Sequence, residues 1–188
     1  MAETLLVTGI HREELAFGDR VAALLDSNQI DVMRIPEGIP QNQINKDDRF
    51  YYKTRHREIY LQLWQQVVGQ YRVLLDLHCG VNDSGRCADI YCQKEGLLEC
   101  VAARSKEKDL AGQLKTVKII RALKKDDLAA NGRAVQIGAH TLIPDRIWNS
   151  PDCTYIGLEI YLSEAGEGVP EDWRFANELI EIIQGCVY

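Results

Sequence analysis

The chain has 188 residues, 46% of them hydrophobic and 27% charged, with a net charge of −6. This is length enough for one domain with a sizeable core, and too much apolar content for a disordered chain. The acidic balance argues against nucleic acid as a partner, and no apolar run approaches the roughly 20 residues of a membrane span.

The start, Met1-Ala2-Glu3-Thr4, lacks the basic residues of a secretory signal. The expectation is a cytoplasmic protein forming a single domain over 1–188, with no membrane or nucleic-acid partner. Lys and Arg cluster at 104–108 and 115–125 with acids mixed in, and read as solvated faces. Six cysteines, Cys79, Cys87, Cys92, Cys100, Cys153 and Cys186, lack the paired spacing of a zinc ribbon. They read as reduced thiols, most of them small core residues.

In chain order, residues 4–10 predict a buried strand of the parallel-sheet kind. A helix is expected over 13–27, with Leu15, Val21, Leu24 and Leu25 at helical spacing. At the junction stand His11 and Glu14. An H-x-x-E there has two readings: a pair of metal ligands, or a helix start with acids near its positive end. Residues 30–35 predict a second strand, stopped by Pro36. Two prolines, Gly38 and many amides make 36–50 a long loop, and such loops in compact domains are usually functional or disordered.

Residues 51–70 suit a helix ending at Gly69, and "RVLLDLH", 72–78, is the clearest buried strand. "ADIYCQ" and "LLECVAA" read as further strands, 105–130 as helical in part, and "AVQIGAH" and "TYIGLEIYL" as strands. Pro170 opens a last helix that ends at Gly185. Alternating strands and helices give an α/β class with a mainly parallel sheet.

Three groups fall at matching places: His11 after the first strand, His78 at the end of "LLDLH", and Glu159 in "YIGLEIYL". Ligands of open α/β sheets gather at the carboxyl ends of the strands, so these segments can meet. His11 and Glu14 share a face if the helix begins between them. With His78 they make two imidazoles and a carboxylate, a donor set that leaves one zinc position open. Hydrolysis then needs a further carboxylate to move a proton. Glu159 is the candidate, because a carboxylate in an apolar strand needs a reason to be there. Glu164 is the second choice.

"TGIHREE", "DDRF", "LLDLHCG" and "IGLEIYL", in that order, resemble the motifs of zinc carboxypeptidase-like hydrolases. Within them the chain most resembles the succinylglutamate desuccinylase and aspartoacylase deacylases, over about residues 4–165. The resemblance implies a three-layer α/β/α fold around a mixed eight-stranded sheet, one Zn2+ per chain, and hydrolysis of an amide bond. The implied substrate is a small molecule or peptide with a free carboxylate. Carried over by position, His11, Glu14 and His78 match the zinc ligands, Arg49 the substrate-holding arginine, and Glu159 the catalytic carboxylate. Arg12 stands where the family commonly has Gly and crowds the approach to the metal, and Asp48 stands where it has Asn.

Arg49 also has a case of its own, since a guanidinium fork matches a carboxylate. The alternative is a surface ion pair with Asp47 or Asp48. Arg55 and Arg57 read as exposed helix positions, and His56 and His140 as structural or surface residues. "GVNDSGRC", 80–87, has the glycines of a phosphate loop but neither its Lys nor its Ser/Thr, and reads as a loop lining the site beyond His78. The function expected is a zinc-dependent amide hydrolase, a deacylase of N-acyl amino acids or a carboxypeptidase. The rival is a metal-binding protein on the same fold with little turnover, and a phosphate-binding protein comes third.

Overall fold

The computed structural model describes residues 2–40, 48–118, 141 and 143–187. Its strands are β1 (Thr4–Thr8), β2 (Ile30–Arg34), β3 (Val73–Val81), β4 (Cys87–Cys92), β5 (Leu114–Lys118) and β6 (Thr154–Leu162). They form one sheet in the order β2-β1-β3-β6-β4-β5. β4 runs antiparallel to β6, and the other described pairings are parallel.

Among the described residues the α-helices that cover the sheet are α1 (Leu15–Ala22), α2 (Asp48–Val67), α3 (Glu95–Glu107), α4 (Asp145–Trp148) and α5 (Pro170–Val187). On one face, Phe17 and Val21 of α1, Leu98 and Val101 of α3, and Phe175, Leu179 and Ile183 of α5 join a core with Leu6, Leu75, Leu77 and Leu158. On the other, Tyr60, Leu63 and Val67 of α2 and Ile147 and Trp148 of α4 join Leu5, Val7, Leu74 and Tyr155. The architecture is therefore the expected three-layer α/β/α with a mixed, mainly parallel sheet. Six strands are described where the resemblance implied eight. The strand expected over 134–140 lies outside the described residues.

Several local expectations are corrected. The helix expected over 13–27 starts with a 3-10 turn, Arg12–Glu14, and ends early, at Ala22. Beyond it, Asp26 accepts a 3.0 Å bond from the Asn28 N–H, a local turn that competes with further helix. α2 starts at Asp48, so Asp48 and Arg49 form its first turn and not the end of a loop. It stops before Gly69, whose φ of +77° suits the left-handed position after a helix.

"LLECVAA" is helix, not strand. Leu97, Leu98, Val101 and Ser105 are its buried residues, a 3.6-residue pattern that a short apolar run does not disclose. Of residues 105–118, expected to be helical in part, 105–107 end α3 and Leu114–Lys118 form β5.

The cysteines are also corrected. Cys100 of α3 and Cys186 of α5 form a disulfide, with Cα atoms 5.8 Å apart. They lie 86 residues apart in sequence, and only the side-by-side packing of the two helices brings them together. Cys79, Cys92 and Cys153 are buried free thiols, as expected of small core residues. Among the described residues no helix is long and apolar enough to cross a membrane.

Candidate metal centre

β1 lies between β2 and β3. The chain leaves β1 outward to β2 and then returns to β3, so the connections diverge there and open a crevice at the carboxyl ends of the strands. Thr8, the last residue of β1, pairs with Leu77, which puts His78 one residue beyond it. The path from Thr8 to His11 is tightly set. Gly9 has φ +83°, and a Cβ there would stand 2.6 Å from the Ile35 carbonyl oxygen. A Cβ on Gly38 would stand 1.9 Å from the Gly9 carbonyl oxygen. Without side chains at either position, the segment after β2 closes on the end of β1. The Ile39 N–H then donates to Ile10 O at 2.8 Å, and the Arg12 N–H to Ile39 O at 3.1 Å.

His11 caps the 3-10 turn that follows, with the Glu14 N–H donating to its carbonyl at 3.1 Å. Residues three apart eclipse in a 3-10 turn, so the two side chains come to one side. The H-x-x-E is a helix start, and that start brings the pair toward His78. Glu14 Oε1 lies 2.8 Å from His11 Nδ1, and Oε2 lies 2.9 Å from His78 Nδ1. Ligating atoms of all three residues fall within 4.8 Å of one another.

The electrostatics fit a cation at this point. Burial raises the Glu14 carboxyl, but hydrogen bonds and charge from His11 and His78 outweigh it and hold it below the usual range. Burial lowers His78, yet Asp76 and Glu14 outweigh that and hold it well above the usual histidine range. A positive charge is therefore favoured between a buried carboxylate and two imidazole nitrogens. That is what a His, Glu, His donor set offers a divalent ion, zinc above all, whose binding would replace the proton on His78 Nδ1.

Behind His78 is a group that sequence reasoning left unassigned. His78 Nε2 lies 3.1 Å from Asp76 Oδ1, and Asp76 is fully buried. Tyr60 and Tyr155 both donate to Asp76 Oδ2, Tyr155 at 2.8 Å. Burial alone would raise Asp76; the charge on His78 and these bonds reverse it and keep the carboxyl below its ordinary range. The signal was present as the Asp two residues before the His in "LLDLH", a spacing that puts both on one face of a strand.

α2 supplies a second unassigned group. Tyr52, His56 and Tyr60 follow at four-residue intervals and so share a helix face. The Tyr52 hydroxyl lies 3.1 Å from His11 Nε2. The His56 ring is 5.8 Å from that of His11 and 4.9 Å from that of Tyr60. His56 is buried, not on the surface, and burial pushes its pKa down to about 4, so it packs as a neutral ring.

Glu159 pairs in register with His78 across β3 and β6. Alternation puts Tyr155, Gly157 and Glu159 on the face toward α2, and Ile156, Leu158 and Ile160 on the other. Burial is the main cause that pushes the Glu159 carboxyl up to about 7. Gly80 leaves room beside it: a Cβ there would be 3.4 Å from Glu159 Oε1. Glu164, the second choice, is exposed in the turn beyond β6.

Arg49 occupies the first turn of α2, three residues before Tyr52; its side chain, like that of Asp48, lies outside the described ones. Arg12 is exposed. His140 lies outside the described residues. The "GVNDSGRC" segment leads into β4, not a helix, and Arg86 pairs with the buried Asp172 of α5 at 3.1 Å.

No family model matches the chain, and no curated protein matches it in sequence. Solved structures do match it in fold. A bacteriophage poly-γ-glutamate hydrolase is 14% identical with TM-score 0.51, the match covering 100% of this chain and 86% of that one. Murine aminoacylase 3 is 12% identical, also with TM-score 0.51, over 99% of this chain and 64% of the other. The chain thus spans less than two thirds of the aminoacylase. At these identities the likeness establishes the fold and nothing narrower.

Proposed function

We propose that the protein is a zinc-dependent hydrolase of an amide bond, acting on N-acyl amino acids as a deacylase or on peptides as a carboxypeptidase. The observation that carries this reading is the placing of four groups. His11, Glu14 and His78 converge on one point, and Glu159 stands in register with His78 on the same face of the sheet. The names of the two structures of like fold, a poly-γ-glutamate hydrolase and an aminoacylase, agree with it.

His11 and His78 would hold the ion through Nδ1 and Glu14 through its carboxylate. Zinc, when bound, lowers the pKa of a water and polarises a carbonyl. The chain's own residues would do the rest. Glu159 takes a proton on its carboxylate and delivers it to the leaving nitrogen. Its value of about 7 suits a group that must both accept and give a proton near neutral pH. Arg49 would grip the substrate carboxylate through its two-pronged guanidinium. Asp76 keeps the far nitrogen of His78 occupied, which orients the ring.

The test is turnover by the purified chain on a panel of N-acyl amino acids and short peptides, before and after chelation and zinc add-back. The expected result is cleavage of at least one free-carboxylate substrate, lost on chelation and restored by zinc. Metal retention with no turnover across the panel would favour the rival, a metal-binding protein on this fold.

A further inference from the structure

The two imidazoles at the centre are backed in different ways. His78 has a carboxylate behind it, Asp76, held by two phenols. Behind His11, among the described residues, is a neutral group at 3.1 Å from Nε2, the hydroxyl of Tyr52. The two rings are nearly parallel, 5° apart, with centroids 6.4 Å from each other. The nitrogen and the phenol oxygen stand at hydrogen-bond distance. The His11 side chain is 12% exposed, so water has limited access to serve instead.

We propose that Tyr52 is a positioning residue of the metal centre, accepting the Nε2 proton of His11 when Nδ1 holds the ion. The inference rests on the zinc reading above and adds a residue to it. The chemistry explains the choice of a phenol. Without an ion, His11 Nδ1 faces Glu14 at 2.8 Å and needs a proton there, so in the neutral ring Nε2 is an acceptor. With an ion on Nδ1, the only proton of the neutral ring is on Nε2, which becomes a donor. A tyrosine hydroxyl donates and accepts, so it satisfies His11 in both states by turning its own O–H. A carboxylate serves the first only where the ring carries a proton on both nitrogens, as His78 does between Glu14 and Asp76. Tyr52 thereby lets the ring keep one orientation while metal enters and leaves.

Tyr52 also stands three residues after Arg49 on α2. The helix segment assigned to holding substrate therefore also holds one metal ligand in place.

The experiment compares the full wild-type chain with Tyr52→Phe, which keeps the ring and removes only the hydroxyl. Zinc affinity is measured by competition with a chromophoric chelator, and the histidine ring N–H protons of the zinc-loaded proteins by 15N-edited NMR. The protected ring N–H signals of wild type should include those of His11 and His78. The variant should lose the His11 signal to exchange, keep that of His78, and bind zinc about tenfold more weakly, the low end for a lost outer partner. Its melting in chelator should fall only slightly, since one part-buried hydrogen bond is lost there too. A variant with wild-type zinc affinity and both signals intact would overturn the role of Tyr52 alone. A wild-type chain that takes up no zinc would overturn the zinc reading itself, and this inference with it.

Discussion

Along β6, Ile156, Leu158 and Ile160 point into a core closed by α1, α3 and α5, while Tyr155 and Glu159 point toward α2. Along β3, Val73, Leu75 and Leu77 lie on the first face, and Asp76 and His78 on the second. The backbone is shared, and the two faces differ in what burial does. On the first face it removes apolar area from water, which stabilises the fold. On the second it encloses charged groups, which costs free energy unless each has a partner. The partners exist: Glu14 for both histidines, Asp76 for His78, Tyr60 and Tyr155 for Asp76. Among the described residues Glu159 is the exception, and its raised pKa goes with it. One face makes the sheet rigid, and the other uses that rigidity to hold groups at a spacing they would not choose in water.

Neighbours on one strand separate these roles most sharply. Glu159→Gln should lower turnover by about 10²–10⁴-fold, the usual cost of losing a general base. Zinc content and melting should be retained. Full activity in this variant would move the proton-transfer role to another residue, and loss of zinc would make Glu159 a ligand. Leu158→Ala, one residue away and fully buried on the other face, should do the reverse. It should cost about 2–5 kcal/mol of stability in chemical denaturation, while the folded fraction still binds zinc in equal ratio. A Leu158 variant that loses metal before it loses fold would show that the faces are not independent.

A third effect is in pH. Burial raises the folded-state pKa of Glu159 from its ordinary 4.5 to about 7. A raised carboxyl contributes stability that is fully present below about pH 4.5 and is lost as pH rises through about 7. Gln carries no such dependence. In chelator, the melting temperature of Glu159→Gln minus that of wild type should therefore grow from pH 4.5 to 7 and stay level above. A difference that does not vary across that window would mean that Glu159 is solvated.

How much of this was legible in the sequence depends on range. β1, β3 and β6 are apolar runs whose partners are other apolar runs, so their existence and the α/β class followed from pattern alone. The positions of His11, Glu14, His78 and Glu159 followed because each sits at a recognisable point on its own element. What stayed hidden depends on packing between distant segments. Cys100 and Cys186 meet only because α3 lies along α5. Tyr52 meets His11 across 41 residues of sequence, a contact that only the folded chain makes. "LLECVAA" was misread because a strand and a buried helix face look alike over seven residues. Asp76 stands within "LLDLH", but an acid in an apolar strand declares no role until its phenol partners are in place.

The central claim is that the second face holds a metal at His11, Glu14 and His78. Elemental analysis of the purified wild-type chain beside His11→Ala, His78→Ala and the double variant tests it most directly. About one zinc per chain is expected in wild type, from two imidazoles and a carboxylate. Each single variant should lose most of it and the double variant essentially all, with helical content unchanged. A double variant as fully loaded with zinc as wild type would contradict the account.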